Sequence, residues 1–280
     1  MSTKEILLLG LPSSGKTTFL AALWHLLVQE EVAKTMKLAK WPDTREYLNK
    51  LTQKWVRFQP VDRNLLTEDI KKIQLALQNG DEIVDFHIPD MSGETWEALW
   101  ENRLCPADIT DLVIESFGII LFLHADHIQP PVDIMTIDRQ TVSVQPASDS
   151  SPSPWNPKES PTQVKLVDLL QILIRPPFAH RNRRLVVVIS AWDKVLEMNQ
   201  TPEQFLMSGL PMLFQFLHFS YQYPSFKVYG VSALGGDLTL PTDLERLKGE
   251  DKPAKRVLVN DGKNVGHDLT IPIHWLLNGD

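Results

Sequence analysis

The sequence predicts an α/β domain in which helices cover both faces of a mostly parallel sheet. Three observations carry that expectation. Short, almost wholly apolar runs occur at residues 5–9, 118–124 and 185–190, the length and composition of strands buried on both faces. Helical segments with apolar stripes separate them, at 16–33, 94–104, 107–116, 162–175 and 202–219. Alternation of the two kinds is the βαβ pattern of a parallel sheet. The 280 residues, 43% of them hydrophobic, suffice for one domain with a full core.

The first run is bounded by charge and by Gly10, and reads as a buried strand. Phe19, Leu20, Leu23, Leu26 and Leu27 share one face of the helix behind it. Asp43, after Pro42, opens a helix over 43–57. Residues 60–68 carry turn chemistry. Ile73, Leu75 and Leu77, then Val84, Phe86 and Ile88, alternate about Asn79-Gly80. That is the signal of a type I′ hairpin over 73–88, adding one antiparallel edge strand. Residues 129–161 interleave Pro130, Pro131, Pro146, Pro152, Pro154, Pro157 and Pro161 with serine, and read as a surface insertion. A strand is expected at 226–232, a second, irregular insertion at about 235–268, and a short helix or strand at 270–277. The whole chain, 1–280, reads as a single domain without internal repeats.

A net charge of -7, from 35 acidic and 28 basic residues, argues against a nucleic-acid partner, which wants a basic excess. Arg181, Arg183 and Arg184 form the one tight basic cluster and read as a solvated loop end. The single cysteine, Cys105, excludes a disulfide within the chain and fits a reducing compartment. No apolar run approaches the roughly 18 residues of a membrane span. The expectation is a cytoplasmic protein with no integral membrane segment.

Four motifs carry chemistry. Gly10-Leu-Pro-Ser-Ser-Gly15-Lys16-Thr17 is a full Walker A pattern, found by chance in roughly one in a hundred chains of this length. Its glycines let backbone approach a phosphate, and the following helix adds the positive end of its dipole. Ser13, Ser14, Gly15, Lys16, Thr17 and Thr18 are the candidate phosphate-binding residues. Lys16, expected exposed in the cradle, bridges the β- and γ-phosphates, and the Thr17 hydroxyl binds Mg²⁺. Asp90-Met-Ser-Gly93-Glu94 follows an apolar strand. There Asp90 can hold Mg²⁺ through water, and the Gly93 amide can meet a γ-phosphate only when one is present. Asp193, after the strand 185–190, can accept from guanine N1–H and N2–H₂, a donor pair that adenine lacks. Ser232 and Ala233 end the strand 226–232, with the Ala233 N–H placed to donate to guanine O6.

In order and spacing these elements resemble Ras-like P-loop GTPases of the TRAFAC class. More narrowly, the chain is similar to the bacterial double-GTPase family of predicted conflict and signalling systems. The residues that carry the likeness are Leu9-Gly-Leu-Pro-Ser-Ser-Gly-Lys-Thr-Thr18, Pro89-Asp-Met-Ser-Gly-Glu94, Ser190-Ala-Trp-Asp193, Val231-Ser-Ala-Leu-Gly-Gly-Asp237 and Pro272-Ile-His-Trp-Leu-Leu277. The resemblance implies the three-layer P-loop NTPase fold and GTP/GDP as ligand with Mg²⁺. It also implies a hydrolytic switch in which Lys16, Gly93 and Glu94 act on the γ-phosphate, and protein effectors or a second GTPase as partners.

The sequence departs from that pattern in three places. The usual Asn-Lys-x-Asp reads Ser190-Ala191-Trp192-Asp193, so Trp192 or Lys194 stands in for the lysine that covers the base. Glu94 occupies the place of a water-positioning glutamine, which implies slow intrinsic hydrolysis or a nucleotide-locked scaffold. The third is the switch threonine, for which Thr67 and, second, Thr44 are the candidates; each also reads as an ordinary helix N-cap. An ATP-using ATPase or kinase is the third reading, and Asp193 speaks against it. Trp96 and Trp100 lie one turn apart, as a core pair or an effector surface. His124 and His127, lacking metal-ligand spacing, read as structural.

Overall fold

A computed structural model describes residues 2–60, 72–89, 93–131, 156–178 and 182–279. Among them nine strands form one sheet: β1 (Ser2–Leu9), β2 (Lys37–Lys40), β3 (Lys72–Asn79), β4 (Glu82–Pro89), β5 (Ser116–His124), β6 (Arg184–Ser190), β7 (Phe226–Ser232), β8 (Leu258–Asn260) and β9 (Val265–Gly266). Their order is β2-β3-β4-β1-β5-β6-β7-β8-β9. The centre, from β4 to β7, is parallel.

The sheet is wider than the one antiparallel edge strand expected. β2 and β3 pair antiparallel at one edge, and β8 and β9 do so at the other. The stretch 235–268 is therefore not irregular. It holds an α-helix (Pro241–Lys248), a 3-10 turn (Pro253–Arg256) and those two edge strands. Strands of three and two residues are too short to leave a period in sequence.

Helices α1 (Lys16–Val28), α2 (Arg45–Val56), α3 (Gly93–Asn102), α4 (Ala107–Glu115), α5 (Thr162–Ile172), α6 (Pro202–Gly209), α7 (Pro211–Phe219), α8 (Pro241–Lys248) and α9 (Ile271–Asn278) complete the described residues. The expected helix 202–219 is broken in two because Pro211 has no N–H to continue the ladder. Strand side chains alternate between two cores. Ile6, Leu8, Ile120, Phe122, Val186 and Val188 pack with α1, α2 and α9. Leu7, Leu9, Ile119, Leu121, Val187 and Ile189 pack with α3, α5, α6 and α7. Near-continuous apolar strands thus follow from burial on both faces.

Burial corrects the reading of the arginine cluster and decides between the two readings of the tryptophan pair. Arg183 is not a solvated loop residue: it is 1% exposed and donates to the carbonyls of Val113, Leu173 and Ser116. Arg184 donates to the carbonyls of Leu276 and Leu277 at the end of α9, and Arg181 lies outside the described residues. Trp96 and Trp100 are core, not an effector surface; Trp96 Nε1 donates to Leu8 O at 3.1 Å.

Most of the proline-rich stretch, 132–155, lies outside the described residues. Its flanks do not. Gln129 N donates to Thr162 Oγ1 (2.9 Å), and Thr162 N donates to Gln129 O (3.0 Å).

Candidate nucleotide site

Central β1 ends at Leu9, and the chain turns sharply into α1. Gly10 permits the turn: a Cβ there would stand 2.6 Å from Ser14 Oγ and 2.8 Å from Phe122 O. Ser13 and Gly15 are both left-handed (φ 59° and 90°), a backbone pattern that turns successive N–H groups toward a common centre. The first helical amide with a partner in the helix ladder is that of Phe19, bonded to Gly15 O at 2.9 Å. The amides of Lys16, Thr17 and Thr18 precede it and, with the helix dipole, could hold an anion.

Lys16 is 4% exposed, not an exposed cradle residue. Its ammonium donates to Gly10 O (2.7 Å), Leu11 O (3.0 Å) and Ser14 Oγ (2.9 Å). The cation is thereby held at the mouth of the loop by the loop's own carbonyls. Thr17 and Thr18 are partly exposed in the first turn.

Gly93, in the first turn of α3, lies directly on this loop. A Cβ there would meet Pro12 N at 2.4 Å and Pro12 Cα at 2.5 Å. Glu94 is exposed beside it. Asp90 and Thr67 lie outside the described residues. Thr44 does not approach the site. α2 runs antiparallel to α1, with Thr52 Oγ1 on Ala21 O and Asn49 on Trp24, so Thr44 sits toward the far end of α1.

The ends of β6 and β7 supply the second half. Asp193 stands in the short 3-10 helix Trp192–Met198, after a left-handed Ala191 (φ 53°). Ser232 Oγ donates to Asp193 Oδ1 and accepts from Gly235 N at 2.9 Å, which fixes the carboxylate's rotamer. Trp55 Nε1 donates to Ala233 O at 2.8 Å and so orients the peptide behind it. Ser190 Oγ donates to Ser14 O at 2.9 Å, tying the two halves together. Between them lies a cavity of about 240 Å³ whose wall includes Gly15, Thr18, Asp193, Ser232 and Ala233.

Lys194, His124 and two carboxylates that the sequence does not single out surround the cavity's outer part. Lys194 Nζ bridges Asp126 (2.7 Å), after β5, and Asp237 (3.3 Å), after β7. Hydrogen bonding to Lys194 holds Asp126 below the usual carboxylate range. The Thr239 hydroxyl and amide, with Lys194, hold Asp237 at about 2. His124 also lines the cavity and stacks on His127 at 4.0 Å. Burial, then the neighbouring His127, lowers the His124 pKa. Among the described residues no cluster of His, Cys, Asp and Glu could hold a metal ion by itself.

The family model described as Double-GTPase 1 matches residues 7–276. The chain belongs to that family. No curated protein matches it. Among solved structures it is similar to the GTP-bound GTPase-like domain of Ski7 from S. cerevisiae, at 14% identity, TM-score 0.45, covering 84% of this chain and 44% of that one. It is similar to the small GTPase Arl6 (BBS3) from Trypanosoma brucei at 12% identity and TM-score 0.36, covering 88% and 96%. It is also similar to a bacterial selenocysteine-specific elongation factor, EF-Sec, at 13% identity and TM-score 0.38, covering 91% of this chain and 30% of that one. The chain thus spans about a third of the elongation factor's length. No TM-score here reaches 0.5, and the assignment rests on the family match with the strand order and loop described above.

This double-GTPase has the P-loop GTPase fold, and its departures from the common base motif now have places. Trp192 cannot cover a base: it is 1% exposed, lies against Gly230 in the core shared with α6, and stacks edge-on with Phe205. Lys194 is at the cavity, with its ammonium clamped and its stem along the wall. Ser190, in the asparagine's place, joins the base side to the phosphate loop. The sequence marks His124 only as structural and passes over Asp126 and Trp55, because their places at the cavity arise across strands; only the Asp237-x-Thr239 turn leaves a local signal.

Proposed function

We propose that the chain binds GTP and GDP with Mg²⁺ and acts as a molecular switch by hydrolysing GTP, slowly without a partner. The observation that carries this is the single cavity in which Gly15 and Thr18 meet Asp193, Ser232 and Ala233. The phosphates lie on the amides of Ser13 to Thr18, with Lys16 on the β- and γ-phosphates. Asp193 accepts from guanine N1–H and N2–H₂, and the Ala233 amide donates to O6. Thr17, with Asp90, offers the hard oxygen donors that Mg²⁺ takes, and the ion would neutralise phosphate charge there. The Gly93 backbone lies so close to Pro12 that a Cβ has no room, and its amide senses the γ-phosphate. Glu94 adds negative charge where a neutral donor would help, which keeps turnover slow.

A cytoplasmic bacterial signalling or defence system, with protein effectors or a second GTPase as partners, is the setting that the family resemblance supports. No helix among the described residues is long and apolar enough to cross a membrane. The proline-rich insertion and the 235–268 segment belong to the same single domain.

Titration with GTP and ATP, each with and without Mg²⁺, tests the reading. GTP binding at least tenfold tighter, and strengthened by Mg²⁺, is the expected result. Equal affinity for ATP defeats it. Single-turnover hydrolysis then separates a slow enzyme from a locked scaffold.

A further inference from the structure

A guanine held as proposed presents one more acceptor. Its outer edge carries N7 beside O6. Asp193 and the Ala233 amide account for N1, N2 and O6 and leave N7 without a donor.

The cavity's polar side chains can be taken in turn. The Ser190 hydroxyl donates to Ser14 O, and the Ser232 hydroxyl donates to Asp193. Asp193 and Asp237 are acceptors. The Lys194 ammonium is drawn to Asp126 and Asp237. Thr18, on the helix that carries the phosphates, and His124 remain.

His124 ends β5 and is the register partner of Ser190, so both side chains leave the same face of the sheet. Its Nδ1 accepts from Asp126 N at 3.2 Å. An imidazole accepting at Nδ1 carries its proton on Nε2, the far end of the ring. Burial and the stacked His127 keep it neutral, consistent with that tautomer. The small Ser190 leaves room beside it for the ring to reach the base.

We propose that His124 is a base-reading residue whose Nε2–H donates to the purine N7. This rests on the guanine reading above, but its test is separable from it, because adenine also carries N7. The chemistry concerns any purine nucleotide in the cavity.

The test uses 7-deaza-GTP, in which N7 is replaced by C–H. Wild-type protein should bind GTP roughly tenfold tighter than 7-deaza-GTP, the effect of one shielded hydrogen bond. His124→Phe keeps a ring against His127 and should bind the two nucleotides within about twofold. His124→Gln, which restores an N–H donor, should recover part of the preference. A wild-type protein indifferent to N7 overturns the proposal, and so does a Phe variant that keeps the full preference. Should the Phe variant not fold, His124→Leu, which also lacks a donor, takes its place with the same expectation; an undiminished preference in Thr18→Val excludes the other donor, and a lost preference there overturns the assignment to His124. Failure of the guanine reading shows up differently, as equal GTP and ATP affinity, and the ATP and 7-deaza-ATP pair then tests His124 alone.

Discussion

The two ends of the nucleotide cavity are built in opposite ways. The phosphate end is one continuous piece of chain, Gly10 to Thr18, shaped by local backbone: two left-handed residues, a helix start and a lysine turned onto its own loop. The base end is assembled from the tips of β5, β6 and β7 by contacts between residues far apart in sequence. Ser232 lies 39 residues from Asp193, and Trp55 lies 178 residues from Ala233. A local device is specified by a short motif. A composite one depends on the register of a whole sheet, so its parts can be exchanged as long as the sum of contacts is kept.

The comparison predicts that single changes at the phosphate end are the more damaging. Lys16→Ala should lower GTP affinity at least about a hundredfold, since charge-assisted bonds to two phosphates are lost. It should also cost about 1–3 kcal/mol of stability, because the Gly10 and Leu11 carbonyls lose a buried donor. Calorimetric titration and urea unfolding measure the two effects; an unchanged GTP affinity would remove the phosphate assignment.

At the base end, Asp193→Asn should reverse the order of GTP and xanthosine triphosphate. The new amide donor faces guanine N2–H₂ but matches the xanthine oxygen, a change of about 1–3 kcal/mol, roughly ten- to hundredfold. Retention of the wild-type order would mean that another group reads the base.

Gly93→Ala tests the contact between the switch segment and the phosphate loop. Its Cβ would stand 2.4 Å from Pro12 N, so α3 or the loop must move. We expect hydrolysis to fall roughly tenfold, with GDP affinity little changed, from about 1–3 kcal/mol of overpacking. Equal losses for GDP and GTP would make Gly93 a packing residue only.

Ser190→Ala removes the one side-chain bond described between the two ends. Its loss should cost about 1 kcal/mol, roughly fivefold in affinity for GTP. A larger effect would mean that the ends are less independent than their construction implies.

The smallest effect concerns pH. Asp237 titrates at about 2, below a free aspartate at about 3.9. A depressed carboxylate contributes stability above its unfolded value and loses it as pH falls through the folded one. The bonds to Asp237 from the Thr239 hydroxyl and amide, and from Lys194, should therefore be constant from pH 5 to 8 and weaken only between about 4 and 2. An NMR titration of the Asp237 carboxyl with a midpoint near 4 would contradict those bonds.

The same contrast explains what could be read from sequence. The Walker A loop, the central strands and the placement of Asp193 and Ser232 at strand ends are legible because each is local and keeps a fixed offset from a strand end. Gly93 was placed correctly against the phosphate loop by its position alone. The burial of Lys16 and Arg183 was not legible, since charge in a sequence suggests solvent and only tertiary carbonyls reverse it. The two-residue β9 and the four-residue β2 are too short for periodicity, so both sheet edges were under-read. Of the two candidates to cover the base, Trp192 is excluded because it opens the 3-10 helix after β6 and packs into the core against Gly230 and Phe205, contacts that leave no local signal.

The reciprocal bonds between Gln129 and Thr162 have an evolutionary side. The chain between these two residues begins and ends at one point, so it closes a ring whatever its length. Doubling the length of such a ring costs only about 0.6 kcal/mol in closure entropy. The neck is thus a port at which sequence can be lengthened, replaced or fused to another fold while β5 and α5 keep their places. A lineage could acquire a new partner at this port without altering a residue that touches the nucleotide.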